Sequence, residues 1–280
     1  AVDGPVVYFV DHFFRDHELI GRLPMEKGDQ LHFVDSSSEP EVTRIDAFKE
    51  AVSAADSRTP CCVVGIGGGN ALDTAKAVAN LLTNPGKAED YQGWELVKNP
   101  AVYKIGIPTL SGTGSECSRT CVLTNIPKNL KLGMNSDYTV YDQLLLDPDL
   151  LATVPRDQYF YTGIDTFMHC VESLQGSYRN AIIDAFSVRA VQLCEEIFLS
   201  DDMMSEENRE KMMIASYIGG MAAGNVGVIH PFSAGLGVVL HVAHGLGNCL
   251  ALNVLGDIYP KEYKQFRTMI ERQGVNLPTG

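Results

Sequence analysis

The chain has no Cys-x-x-Cys pair. Its seven cysteines, at positions 61, 62, 117, 121, 170, 194 and 249, are odd in number and lie mostly inside apolar stretches. This argues against a disulfide framework and for reduced, buried thiols in a cytoplasmic protein. No long basic run occurs, and the formal net charge is −13. A nucleic-acid backbone or an anionic membrane is thereby disfavoured as the main partner. No apolar run is long enough to span a bilayer: the most apolar region, residues 226–256, is broken by three His, several Gly and a Pro. The opening Ala-Val-Asp-Gly-Pro carries no signal-peptide pattern. Internal repeats, low-complexity segments and a Pro/Ser-rich linker are also missing, so two closely packed domains with a cleft between them are expected.

Within 280 residues, 45% are apolar and 20% charged, which allows a sizeable core in one large domain or two ordinary ones. The first part alternates strand and helix. Val6–Val10, Leu31–Val34, Cys61–Ile66 and Tyr103–Ile107 read as strands, and the unbroken apolar run of the third is that of a buried parallel strand. Glu41–Ala55 and Ala71–Leu82 read as helices, giving an α/β pattern with a parallel sheet covered on both faces. Beyond about Pro155 the spacing predicts helices only, over Asp165–Leu174, Asn180–Phe198 and Asn208–Ala223. Ile183, Phe186, Ala190, Leu193 and Ile197 form an apolar stripe for the core of that part. The expected division is an α/β domain over 1–152 and an all-α domain over 153–280.

Two small-residue loops follow strands. The first, Gly65-Ile-Gly67-Gly68-Gly69-Asn70-Ala-Leu-Asp73-Thr-Ala-Lys76, opens a helix, where glycines admit a close ligand and free N–H groups face an anion such as pyrophosphate. It departs from G-x-G-x-x-G at Asn70 and lacks the Lys-Ser/Thr of a P-loop. A tight turn capped by Asn70 reads the same residues equally simply. The second, Pro108-Thr109-Leu-Ser111-Gly112-Thr113-Gly114-Ser115-Glu116-Cys-Ser118, suits phosphate or ribose hydroxyls, or a plain turn, and holds no nucleophile elbow.

In the second half, Asp165 and His169 stand four apart, on one face of a helix. Asp-x-x-x-His is commonly just a hydrogen-bonded pair. Four of the seven His, however, fall at 169, 230, 241 and 244, among apolar and glycine residues. One carboxylate with three imidazoles is a first shell for Fe2+ or Zn2+ that leaves room for a substrate oxygen.

On these motifs the chain resembles the iron-containing (group III) alcohol dehydrogenase family. The carriers are Gly67-Gly68-Gly69-Asn70-Ala-Leu-Asp73-Thr-Ala-Lys76, Pro108 to Glu116, Gly163 to His169, and His244-Gly245. The resemblance implies an N-terminal Rossmann-like α/β domain, a helical metal-binding domain, an alcohol or sugar-acid substrate and a homodimer. It implies NAD and one divalent metal, Fe2+ or Zn2+, the latter on Asp165, His169, His230 and His244. Gly68, Gly69, Thr109, Thr113, Ser118 and Lys131 would contact the cofactor, with Asn70 and Asp73 as further candidates in the same motif. Asp11 matches the acid that favours NAD, since a carboxylate accepts from a ribose 2′-OH and repels a 2′-phosphate.

Three departures from the pattern stand out. Ala234 replaces a frequent second His that relays protons, and His241, one turn before His244 if that segment is helical, is the candidate substitute. Glu39-Pro40 replaces Asn-Pro, and beside the longer chains of the family the resemblance leads one to expect a fragment without the usual first strand and last helices. Thr83-Asn-Pro-Gly, Tyr91-Gln-Gly-Trp94, Leu132 to Thr139 and Gly245 to Cys249 further resemble the subgroup that oxidises C8 of 3-deoxy-D-manno-octulosonate in lipopolysaccharide biosynthesis. A dehydroquinate-synthase-like or glycerol-1-phosphate dehydrogenase-like enzyme is the alternative within the fold. A nucleotide-free metal hydrolase is the alternative outside it.

Overall fold

The computed structural model describes residues 4–223 and 227–278. They form two compact units. One holds the described residues up to Thr109 with Ser115–Leu146, the other Leu110–Gly114 with the described residues from Asp147 on.

The first unit contains β1 (Val6–Asp11), the short α1 (Glu18–Arg22), β2 (Gln30–Val34), α2 (Val42–Ala55), β3 (Cys62–Gly67) and α3 (Gly69–Leu81). It continues with β4 (Gly93–Trp94), β5 (Lys104–Pro108), β6 (Thr120–Asn125), β7 (Leu130–Asn135) and β8 (Gln143–Leu144). Five strands make a parallel sheet in the order β2-β1-β3-β5-β8. Side chains alternate across it, as the two-residue period of a strand requires. Val7, Phe9 and Val63 pack with Val42, Ile45 and Val52 of α2 and with Ala75 and Val78 of α3. Tyr8, Val10, Val64 and Ile66 pack with Phe14, Leu19 and Ile20 on the other side. The doubly covered α/β sheet read from the sequence is therefore present.

The β6–β7 hairpin was not expected. It pairs antiparallel from Thr120↔Asn135 to Asn125↔Leu130 and joins β4 in a second small sheet. Its half-polar sequence, with Gly133 and Asn135 in the second strand, gives a weak strand signal, and burial of alternate residues such as Cys121 and Leu123 supplies the stability.

Every side chain from Ala71 to Leu81 of α3 is buried, Lys76 included. The Lys76 ammonium donates to the carbonyls of Ser115 (2.7 Å), Ser118 (3.0 Å) and Thr120 (2.6 Å) and to Ser118 Oγ (3.3 Å), with the Asp73 carboxylate 3.9 Å away. A buried ammonium is tolerable only when so surrounded.

The second unit contains α4 (Arg156–Gln175), α5 (Ala181–Phe198), α6 (Glu206–Ala222), α7 (Ile229–Leu240), α8 (His244–Val254) and α9 (Pro260–Gln273). Helix α4 begins nine residues before the expected Asp165, directly after Pro155. Thr162 and Gly163 weaken its local propensity, but Tyr159, Phe160, Ile164 and Phe167 bury a face that holds the early turns. In α5 the expected stripe does face the core: Ala190, Leu193 and Ile197 are buried, while Ile183 and Phe186 are half-buried. Helices α7 and α8 meet at 120°, and among the described residues no single helix is long and apolar enough to cross a membrane.

The Leu110–Gly114 segment lies against α4 and α6. Gly112 N–H donates to Ser216 Oγ (2.8 Å) and the Gly112 carbonyl accepts from Thr166 Oγ1 (2.9 Å). Gly112 has φ +146°, and a Cβ there would stand 1.9 Å from the Thr162 carbonyl oxygen. Positive φ and overpacking each cost about 1–3 kcal/mol. Gly112→Ala should therefore destabilise the protein by at least about 2 kcal/mol, read from urea denaturation midpoints; an unchanged midpoint would show that the segment is not held there.

Candidate functional site

Asp165 and His169 lie one turn apart on α4, as the four-residue spacing predicts. His230 is on the first turn of α7, and His244 is the first residue of α8. All three imidazoles turn an Nε2 toward one oxygen. Asp165 Oδ1 lies 3.1 Å from His230, 3.6 Å from His244 and 3.8 Å from His169. Asn248, one turn along α8, donates to the same oxygen at 2.6 Å. Ligand atoms of Asp165, His230 and His244 are all within 4.8 Å of one another. The His169 ring stacks on that of His230 with centroids 4.3 Å apart.

Burial pushes the Asp165 carboxyl up, but His169, His244 and the His230 hydrogen bond outweigh it and hold it far below the usual carboxylate range. Burial also lowers His169, to about 4, despite Asp165. His230 resists its own burial and is held up to about 9 by Asp165 and Glu172. Where an Nε2 carries no proton, its lone pair facing an anionic oxygen is repulsive unless a cation lies between. Asp165 Oδ2 and His169 Nδ1 are buried with no hydrogen-bond partner among the described residues. This donor set and the orphaned Asp165 oxygen fit a divalent cation of the Fe2+ or Zn2+ kind on Asp165, His230 and His244, with His169 Nε2 beside them at 3.8 Å from the shared oxygen.

Glu172 escaped the sequence reading. It is buried on α4, seven residues after Asp165. Its Oε2 accepts from His230 Nδ1. Its Oε1 accepts from Ile229 N–H (2.6 Å) and Tyr259 Oη–H (3.3 Å). The carboxylate thus fixes the proton on Nδ1 and leaves Nε2 turned to Asp165. The signal was in the sequence, as Asp-x-x-x-His-x-x-Glu on one helical face.

His241 is not one turn before His244. It ends α7 in a left-handed conformation (φ 55°, ψ 32°) and is exposed, and the helix restarts only at His244. The helical premise for a paired His241 and His244 is therefore corrected. Ala234 lies half-buried on α7.

The other expected residues, Thr113 excepted, belong to the first unit. The chain leaves β1 outward to β2 and then returns to β3 on the other side of β1, so the carboxyl ends of β1 and β3 flank a topological switch point, where parallel sheets take ligands. Asp11 ends β1 and the glycine turn ends β3. They touch: Gly67 has φ +153°, and a Cβ there would be 3.0 Å from Asp11 Cβ and 2.5 Å from Ala71 Cβ. Asp11 Oδ1 accepts from Phe13 N–H (3.0 Å) and Oδ2 from Ser36 Oγ (2.7 Å). Gly68 precedes α3 and Gly69 opens it, with no side chain capping that end. Asn70 Nδ2 donates to the Ser38 carbonyl. Thr109 is buried, its N–H on the Gly67 carbonyl (3.0 Å).

Asp73 is engaged inside the unit, accepting from Ser115 Oγ and from Val122 N–H (2.8 Å). Ser118 serves Lys76 and the Thr120 carbonyl. Lys131 pairs with Glu39 at 2.9 Å. Thr113 lies half-buried in the Leu110–Gly114 segment of the second unit.

Two family descriptions match the chain: iron-containing alcohol dehydrogenase over residues 16–148, and the C-terminal part of the Fe-containing alcohol dehydrogenase family over 159–274. The chain belongs to the iron-containing alcohol dehydrogenase family. A sulfoacetaldehyde reductase of Bilophila wadsworthia is 34% identical over 76% of this chain and 56% of its own length. An NAD-dependent methanol dehydrogenase of Bacillus methanolicus is 32% identical over 73% of this chain and 53% of its own. The chain thus spans roughly half the length of these curated relatives. The crystal structure of a sulfoacetaldehyde reductase from Bifidobacterium kashiwanohense in complex with NAD+ superposes with a TM-score of 0.83 at 24% identity, over 98% of this chain and 79% of that one.

In Glu172→Gln an amide NH2 must face a donor that now holds the carboxylate, such as His230 Nδ1–H or Ile229 N–H. The variant should lose about 1–3 kcal/mol of stability and weaken divalent-metal binding about 10–100-fold, read by thermal melting and chelator competition. Wild-type values in both would remove Glu172 from the site.

Proposed function

We propose that this chain carries the catalytic framework of an NAD- and divalent-metal-dependent oxidoreductase that interconverts a small primary alcohol and its aldehyde. The convergence of three imidazole Nε2 atoms on Asp165, beside an orphaned carboxylate oxygen, carries this reading. It is supported by family membership and by the substrates in the relatives' names, an aldehyde in one case and an alcohol in the other.

When bound, the cation supplies Lewis-acid polarisation of an oxygen and the nicotinamide supplies hydride chemistry. The chain's own residues do the rest. Asp165 provides the compensating charge, and Asn248 fixes the rotation of its carboxylate. Glu172 orients His230. In the first unit, the turn at Gly67–Gly69 lets a pyrophosphate approach the uncapped N-terminus of α3. Asp11, already accepting one hydrogen bond on each oxygen, keeps lone pairs for a ribose 2′-OH. With His241 exposed at a helix end, we assign proton release to water. The homodimer and the cytoplasmic setting belong to the same proposal. The finer substrate, C8 of a 3-deoxy-octulosonic acid, rests on four sequence stretches alone, so the substrate class stays with the small alcohols.

Elemental analysis should find one divalent ion per chain, and Asp165→Ala should lower its affinity by more than about 100-fold. Full metal content in that variant would sink the metal reading. NAD should bind more tightly than NADP in fluorescence titrations. Asp11→Gly removes a charged hydrogen bond worth about 1.5–3 kcal/mol, so the preference should shrink about tenfold or more. A wild-type preference for NADP would overturn the role of Asp11.

A further inference from the structure

A buried hydroxyl stands behind His244. Ser233 is fully buried on α7, three residues after His230. Its Oγ lies 3.2 Å from His244 Nδ1 and 3.1 Å from the His244 carbonyl oxygen. A serine hydroxyl has one hydrogen. The carbonyl can only accept, so satisfying both contacts requires that Ser233 donate to the carbonyl and that Nδ1–H donate to Oγ. In the neutral ring Nε2 is then left without a proton, and that atom faces Asp165 Oδ1 at 3.6 Å.

Space for the hydroxyl is made by a missing side chain. A Cβ on Gly247 would stand 2.5 Å from Ser233 Oγ, yet 3.5 Å from its Cβ. Position 247 is on the first turn of α8, so the helix that presents His244 also leaves the notch into which Ser233 fits.

We propose that Ser233, admitted by Gly247, is a positioning residue that fixes His244 as its Nδ1–H tautomer and so prepares Nε2 to bind a divalent cation. The inference rests on the metal reading above for its consequence, and on hydrogen-bond geometry alone for the tautomer. It gives His244 the service that Glu172 gives His230, with a neutral hydroxyl in place of a carboxylate.

The test uses the full chain, stripped of metal. Long-range proton–nitrogen NMR should show His244 as the Nδ1–H tautomer in the wild type, and Ser233→Ala should lose that signature. Zn2+ binding, measured by competition with a chromophoric chelator, should weaken about 10–100-fold in Ser233→Ala. Gly247→Ala, which crowds the hydroxyl out, should lose the same tautomer signature and a similar factor in affinity. The double variant should be no weaker than either single one, because both remove one contact. An unchanged tautomer in Ser233→Ala, or losses that multiply in the double variant, would overturn the proposal. Failure of the wild type to bind Zn2+ would instead strike the metal reading, while the NMR result would still decide the role of Ser233.

Discussion

One carboxylate oxygen with three imidazole edges around it sets the terms for the helical unit. Asp165 Oδ1 is buried, accepts from Asn248, and lies within 4 Å of three His nitrogens. Such a cluster calls for compensating positive charge, and Asp165 and Glu172 hold the His230 imidazole well above its usual range against the effect of burial. The surrounding architecture follows from that constraint. Helix α4 must deliver Asp165, His169 and Glu172 from one face, and α7 and α8 must turn sharply on each other so that His230 and His244 arrive from different directions.

Periodicity carried part of this. The i, i+4 pairing of Asp165 and His169 was readable because a helix repeats every 3.6 residues, and the glycine turn after β3 because a buried apolar run ended in three consecutive glycines. Glu172 lies in the same register, but its hydrogen bonds come from Ile229 and Tyr259, far away in the chain, which no local pattern announces. Nothing periodic announced the break at His241, where a left-handed non-glycine residue ends α7; only packing selects such a conformation. Ser233 was invisible for a related reason. Its role depends on a notch at Gly247 that exists only once α7 and α8 are folded against each other.

The first unit shows the same division. Strand order places Asp11 and the Gly67–Gly69 turn side by side at the switch point, which the alternation of strands and helices foreshadowed. The other residues of the glycine motif make contacts within the unit. Asn70 reaches a loop carbonyl, and Asp73 ties Ser115 and Val122 to α3. Glu39, where the family pattern has Asn, neutralises Lys131. Much of the motif thus builds the floor on which its glycines lie.

Lys76 gives this floor a property that the helical cluster does not share. Its ammonium, ringed by the oxygens of Ser115, Ser118 and Thr120, is a cation tethered by its own backbone. It has no dissociation constant, and no chelator removes it. The cluster around Asp165, on the reading proposed above, takes its cation from solution, and a ligand that binds only the folded state stabilises it by an amount set by its free concentration. The same chain therefore organises one unit around an internal counter-ion and makes the firmness of the other a function of the ionic composition outside.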